Sequence, residues 1–428
     1  MASRPGAEGS CRIGSNYLGR TLSMISKKLL AVMGLTLAAP ALAQPAPIGI
    51  TPPPLADTPY SFDTAEVHGI EVTVLAKGFA QPFAIEPLPN GDMLIVERGV
   101  GLRLLRGATG ATPELVEGHV PGVPEDTPEV FSYGVIDIAL HPDFAENGWI
   151  YFTFNGFAPL PEGTSPLQRP GYFKLLRGTW ADGAVTGVET IFETENQAYA
   201  GGTRVHVADD GMVWVATTGP YDGTSQDMSD IYGKVLRLNA DGSIPANNPH
   251  VGEDGVHPAI YSHGHRDQHG LTVHPATGQA FTVEHGPNGG DELNLIQPGG
   301  DYGWPDYSFG REYDGSDATP LPFGPDTVEP TVVWLPSIAP SGLMFYTGDA
   351  FPEWQGNLFI GSARWGEINA TGSLQRVVFN EDFGELRREA LLQQLHQRVR
   401  DVAQGPDGLI YVLTDGPENA VLRIAPGN

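Results

Sequence analysis

Six segments of this 428-residue chain repeat one pattern, a turn carrying a glycine, then an apolar run, then a polar end. They are "PNGDMLIVERG" from Pro89, "ENGWIYFTFNG" from Glu146, "DDGMVWVATTG" from Asp209, "ATGQAFTVEHG" from Ala276, "WQGNLFIGSAR" from Trp354 and "PDGLIYVLTDG" from Pro406. The shared glycines, Gly91, Gly148, Gly211, Gly278, Gly356 and Gly408, are 57, 63, 67, 78 and 52 positions apart. Each segment reads as a glycine turn leading into a strand buried on both faces, and each interval has room for one four-stranded sheet. Six such sheets closing into a ring predict an all-β fold, a six-bladed β-propeller over residues 61–428. The helix-like stretch "EALLQQLHQRV" from Glu389 is read as strand or loop, with tertiary context overriding propensity.

If the six strands are equivalent, the sixth and seventh residues after each glycine meet at one end of the central tunnel. These pairs are Glu97–Arg98, Phe154–Asn155, Thr217–Thr218, Glu284–His285, Ser362–Ala363 and Thr414–Asp415. Strand ends also become polar simply on reaching water, so only chemistry nearby singles out a pair. Glu284–His285 leads straight into "GPNGGDELNLIQPGGDYGWP", a loop with more glycine than a turn requires.

Residues 1–43 resemble an export address: Lys27 and Lys28, the apolar "LLAVMGLTLAAPA", then Ala41-Leu42-Ala43. Cleavage is expected after Ala43, with Met24 as the expected start of translation. A proline-rich leader then occupies residues 44–60. The single cysteine, Cys11, falls in the removed piece, so the mature chain has no disulfide or thiolate metal site. No later apolar run reaches the roughly 20 residues of a membrane span, and a periplasmic or secreted protein is expected. Removing the leader, with five basic residues and one acid, takes the net charge from −27 to −31. Such a surface repels phosphate backbones and anionic lipid, excluding nucleic-acid and membrane partners.

The pieces "YGKVLRLNADGSIPANNP" from Tyr232, "GHRDQHGLTVHPATG" from Gly264, "EHGPNGGDELNLIQPGGDYGWP" from Glu284, "PSIAPSGLMFYTGDAFPEWQG" from Pro336 and "QRVRDVAQGPDG" from Gln397 resemble the glucose/sorbosone dehydrogenase family of soluble quinoproteins. The likeness is nearest to its aldose sugar dehydrogenases and spans the whole propeller. It implies pyrroloquinoline quinone (PQQ) and Ca2+ as cofactors, a sugar or related alcohol as substrate, and a soluble electron acceptor. By the same resemblance the carbonyls of Gly286 and Pro287 hold the cofactor's calcium, and Glu292 and Tyr302 a second one. Backbone carbonyls and carboxylates are the hard oxygens calcium takes. Arg398, Arg400, Arg364, where a glucose-oxidising relative has lysine, and Ser337 match positions that bind the tricarboxylate cofactor. Alternation in "RVR" puts both arginines on one strand face, where guanidiniums can grip carboxylates.

Around the substrate the family pattern breaks. The base histidine's position, four before Arg204 in "YAGGTRV", is Ala200, and a glutamine that contacts sugar becomes Ser132. The arginine–asparagine pair becomes Arg266–Asp267, followed by Gln268–His269. Arg266 is expected to orient substrate, and Asp267 to adjoin the cofactor. His269, His285 and His206 are the candidate replacement bases. Two further readings stay open: a diverged propeller that binds without turnover, and a calcium-dependent lactonase-like hydrolase, the latter on fold analogy alone.

Overall fold

The computed structural model describes residues 49–65, 68–124, 134–157, 171–194 and 202–427. Cys11, Met24, the expected cleavage point, Ser132 and Ala200 lie outside them. All six repeat glycines sit at positive φ, between 66° and 87°. There glycine alone avoids a Cβ penalty, which is why the turn keeps it.

Each turn joins the innermost strand of a blade to the second. The inner strands are Pro82–Pro87, Gly134–Leu140, Thr203–Val207, Asp267–Val273, Pro340–Phe345 and Val399–Gln404. They neighbour one another in sequence order, and the sixth returns to the first, so they close a ring around a central channel. The second strands, Met93–Glu97, Trp149–Phe157, Val213–Thr217, Ala280–His285, Leu358–Ser362 and Ile410–Asp415, are those of the repeat. Five blades have four strands; the sixth has five, in which Ile70–Lys77 pairs antiparallel with Asn419–Pro426. The beginning of the propeller thus supplies outer strands to its last blade and locks the ring. The leader contributes Leu55, which is buried in that blade's core.

The segment from Glu389 is the end of one strand, Glu385–Leu391, followed by a single 3-10 turn. Leu392 and His396, both in the left-handed region, stop any helix on either side of that turn.

The repeat strands stand second from the channel, yet three residues at their ends, Arg98, His285 and Asp415, reach groups on the inner strands. The channel is lined by the inner strands, and in five of six blades the inner strand breaks register with the second: at 82/84, 135/137, 268/270, 340/343 and 399/401. A bulge adds an unpaired residue and re-aims its side chain. Phe83, His269 and Arg400 are bulge residues from three different blades, and their side chains meet.

Candidate active site

The first halves of the inner strands carry the sequence-predicted groups. Asp267 pairs across the fourth blade with His285, and the bulge that follows brings His269 to the same carboxylate. Asp267 Oδ1 lies 3.2 Å from His269 Nε2, and Oδ2 lies 3.5 Å from His285 Nδ1. Thr218 donates its hydroxyl to Asp267 Oδ1 at 3.3 Å. The two imidazoles stack with centroids 4.2 Å apart. Burial holds His269 down at about 4, Asp267 pulls it back up, and His285 opposes that pull. Burial works against charge on Asp267 too, but His269 and then His285 hold it well below the usual carboxylate range. His269 is therefore a neutral imidazole whose Nε2–H points at an ionised carboxylate. Its Nδ1, for which the described residues offer no hydrogen bond, is the nitrogen left to accept a proton.

Arg266 lies at the edge of this group. Its Nη1 donates to the His285 carbonyl at 2.6 Å, its Nη2 to the Tyr221 hydroxyl, and its guanidinium packs on Tyr221 and Trp304. Gln268, on the opposite strand face, is turned into the blade, donating to the Thr217 and Lys234 carbonyls at 2.9 Å. His206 is also separate: it faces the far half of the channel, where burial alone lowers it to about 4.

Opposite Asp267 stands a cationic group. Arg398 Nε donates to Asp415 Oδ1 at 3.1 Å and Arg400 Nε to Oδ2 at 2.7 Å. Arg98 joins them, its guanidinium 5.0 Å from the Phe83 ring centre where that of Arg400 is 5.2 Å. Burial first, then Arg400 and Arg398, lower Arg98 to about 10 against the pull of Asp415. Three guanidiniums gather about Asp415, and a cluster of cations of this kind fits an anion such as a polycarboxylate. Arg98 was not in the predicted cofactor set, although its place seven residues after Gly91 matches that of His285 and Asp415 in their repeats. Arg364 pairs with Glu367 at 3.1 Å.

The glycine-rich loop has a tight internal architecture. A Cβ on Gly286 would come within 2.2 Å of the Gly289 carbonyl, and one on Gly290 within 2.3 Å of the Gly310 amide. These glycines let the loop pack upon itself and on residues 309–310. The fully buried Asp291 anchors it, accepting the Gly286 amide, the Ser337 hydroxyl and the Ile338 and Ala339 amides at 2.7–3.1 Å. The Ser337 hydroxyl proton is thereby committed to Asp291. The Pro287 carbonyl accepts the Arg311 amide at 2.8 Å, leaving one lone pair for a cation.

Glu292 lies cross-strand from Glu284, which is buried, and is itself half-buried. Burial raises Glu284 to about 7; burial and the neighbouring Glu284 charge raise Glu292 well above its ordinary value. Beside them the buried Asn294 Oδ1 has no hydrogen-bond partner among the described residues. Two crowded carboxyls and an orphaned carbonyl are hard oxygens that fit calcium. Tyr302 lines the same small cavity as Glu284 and Glu292; its hydroxyl donates to the Leu295 carbonyl at 2.6 Å, and its ring stacks on His265.

The second halves of the inner strands enclose a separate cavity of about 460 Å³, lined by Glu86, His206, Thr272 and Gln404 among others. Arg204 reaches Asp137 (3.3 Å) and Asp401 (3.0 Å) there, and its guanidinium lies 5.4 Å from the Phe83 ring centre.

Comparison with known proteins places residues 79–423 in register with the Glucose / Sorbosone dehydrogenase family. An uncharacterized protein of Synechocystis is 36% identical over 83% of this chain and 86% of its own. Aldose sugar dehydrogenase YliI of Escherichia coli is 31% identical over 84% of this chain and 94% of its own. The PQQ-bound form of an aldose sugar dehydrogenase from Streptomyces coelicolor has a TM-score of 0.62 at 25% identity, over 84% of this chain and 98% of that one.

Proposed function

Because the chain belongs to the glucose/sorbosone dehydrogenase family, we propose that it is an exported quinoprotein that oxidises an aldose sugar, or a related alcohol or aldehyde, using PQQ with Ca2+ and passing electrons to a soluble acceptor. The observation that carries this reading is the juxtaposition, over Phe83, of the Arg98 and Arg400 guanidiniums with His269 and its partner Asp267, Arg398 standing beside Arg400 on Asp415.

When bound, the quinone supplies the hydride acceptor and its calcium polarises the accepting carbonyl. Arg98, Arg398 and Arg400 hold the cofactor's carboxylates, and Gly286 and Pro287 offer carbonyl oxygens to its metal. Arg266, fixed between Tyr221 and Trp304, orients the substrate hydroxyls and stabilises negative charge that develops on them. His269 accepts the hydroxyl proton on Nδ1, while Asp267 holds the proton on Nε2 and so selects the tautomer. This assigns the base role to a residue other than the one at Ala200. Glu284 and Glu292 hold the second calcium. Among the described residues no helix is long and apolar enough to cross a membrane. Export rests on the leader.

The test is calorimetric titration of the purified protein with PQQ, with and without calcium, followed by dye reduction over a panel of aldoses. Calcium-dependent binding and sugar-dependent reduction are expected. Arg98→Leu should weaken PQQ by roughly tenfold or more, as for loss of a charge-assisted hydrogen bond. Absence of PQQ binding would sink the reading; tight binding with no turnover would favour a diverged binder, and lactone hydrolysis without quinone a hydrolase.

A further inference from the structure

We propose that Asp267, His269 and His285 form a binding site for a borderline divalent transition-metal ion such as Zn2+, and that filling it switches off proton abstraction by His269. The second half rests on the proposed function; the first does not.

One carboxylate oxygen and one nitrogen from each imidazole all lie within 4.8 Å of one another. Two imidazoles and a carboxylate suit zinc, copper, nickel or ferrous iron, whereas calcium takes oxygen ligands. His285 carries the strongest sign. Its Nε2 lies 2.7 Å from the Pro340 carbonyl, which can only accept, so Nε2 bears the proton. Its Nδ1 faces Asp267 Oδ2 at 3.5 Å. A metal ion placed between them would take both groups as ligands. A backbone carbonyl on the far nitrogen is also how metal-binding imidazoles are oriented. The carboxylate has its own supporting partner, the Thr218 hydroxyl at 3.3 Å. Arg400, near His269, opposes a cation, but shares its charge with Asp415.

With His269 Nε2 bound to metal, its remaining proton must sit on Nδ1. The nitrogen assigned to accept the substrate proton becomes a donor. The metal would therefore inhibit without touching the arginines or the calcium loop.

The experiment uses the full chain in excess calcium, titrated with Zn2+ by calorimetry and with Co2+ by visible absorption. One tight Zn2+ equivalent and the intense bands of four-coordinate cobalt are expected. His285→Phe, which keeps the ring stack, and Asp267→Asn should each weaken binding by more than about 100-fold, since losing a supporting partner alone costs about 10–100-fold. Near-UV circular dichroism checks that these variants fold. Should either fail, Thr218→Val should still weaken Zn2+ by about tenfold. In the PQQ-loaded protein, Zn2+ should stop dye reduction, and a nitrogen-donor chelator that leaves calcium in place should restore it. No Zn2+ binding, or binding unchanged by the substitutions, overturns the site while sugar oxidation stands. Zn2+ binding that spares turnover overturns the switch. Zn2+ binding in a protein that never reduces dye supports the site and overturns the proposed function.

Discussion

His269 has to accept a proton where burial disfavours a charged ring, which is why it is held near 4 rather than at 6.5. Above about pH 4 it is neutral and able to act; below that it is filled. Dye reduction should therefore lose its rate on the acid side as pH falls toward about 4, and His269→Phe should lower kcat by roughly 10²–10⁴-fold, the usual contribution of a positioned base. Asp267 raises His269, so Asp267→Asn should shift the acid limb to lower pH as well as slowing turnover. A limb left in place would show that another group titrates. The same residue has a stability consequence. The unfolded imidazole takes its proton near 6.5 and the folded one near 4, so this contribution to stability is present above 6.5 and lost as pH falls through that window. Sequence exposed Asp267, His269 and His285 as substitutions within a recognisable motif. It did not show that they converge, because convergence depends on the bulge at His269, and a bulge is a break in pairing that periodicity does not record. Arg98 was missed for a related reason: its sequence neighbours are those of an ordinary strand end, and its role appears only when blades one and six meet.

Among elements, the repeat strands were the most legible, since a positive-φ glycine followed by a two-faced apolar run constrains both turn and burial. The fourth-blade pairing of Ala280–His285 with Asp291–Leu295 adds something the repeat could not reveal, two acids directly opposite one another. Like charges in that position destabilise a sheet unless a proton or cation intervenes. Both groups have folded values raised above the unfolded 4.5, so their contribution is present below about 4.5 and lost as pH rises, for Glu284 through about 7. Calcium should reverse the loss where the carboxylates are ionised. The melting temperature is expected to rise with calcium more at about pH 8 than at about pH 5. Glu292→Gln should raise the calcium-free value at about pH 8 by roughly 1–2 °C for each kcal/mol of repulsion relieved in a chain of this size, and should remove the calcium increment. Differential scanning calorimetry at the two pH values decides this. An undiminished increment in the variant would move the calcium elsewhere.

For the whole molecule, the question is what keeps six inner strands at fixed separation around a channel that is not filled by side chains throughout. Pairing of Ile70–Lys77 with Asn419–Pro426 closes the circumference, but the interior is tied by Arg204. From the third blade it reaches Asp137 in the second and Asp401 in the sixth. Those carboxylates in turn accept the Val205 and Ile85 amides at 2.8 and 2.9 Å. The fifth blade makes room: a Cβ on Gly342 would lie 1.5 Å from Asp401 Oδ1. Arg204→Met would leave two buried carboxylates facing each other, a loss of about 3–5 kcal/mol when one partner of a buried pair is removed. Burial already raises Asp137 to about 6 with Arg204 present, and Arg204 is the main force holding it down. Without Arg204 the carboxyls should retain protons to higher pH. Their stability contribution, complete below the unfolded 3.8, is lost as pH rises through the folded value, so the variant should be penalised most at neutral pH and least near pH 5. Urea midpoints measured at about pH 5 and pH 8 should show the gap from the native protein narrowing at the lower pH. Adding Asp137→Asn and Asp401→Asn to Arg204→Met should recover much of the loss at about pH 8, because the buried charge is then gone. An equal deficit at both pH values, unrelieved by those changes, would mean that Arg204 supports the ring by packing on Phe83 and not by its charge.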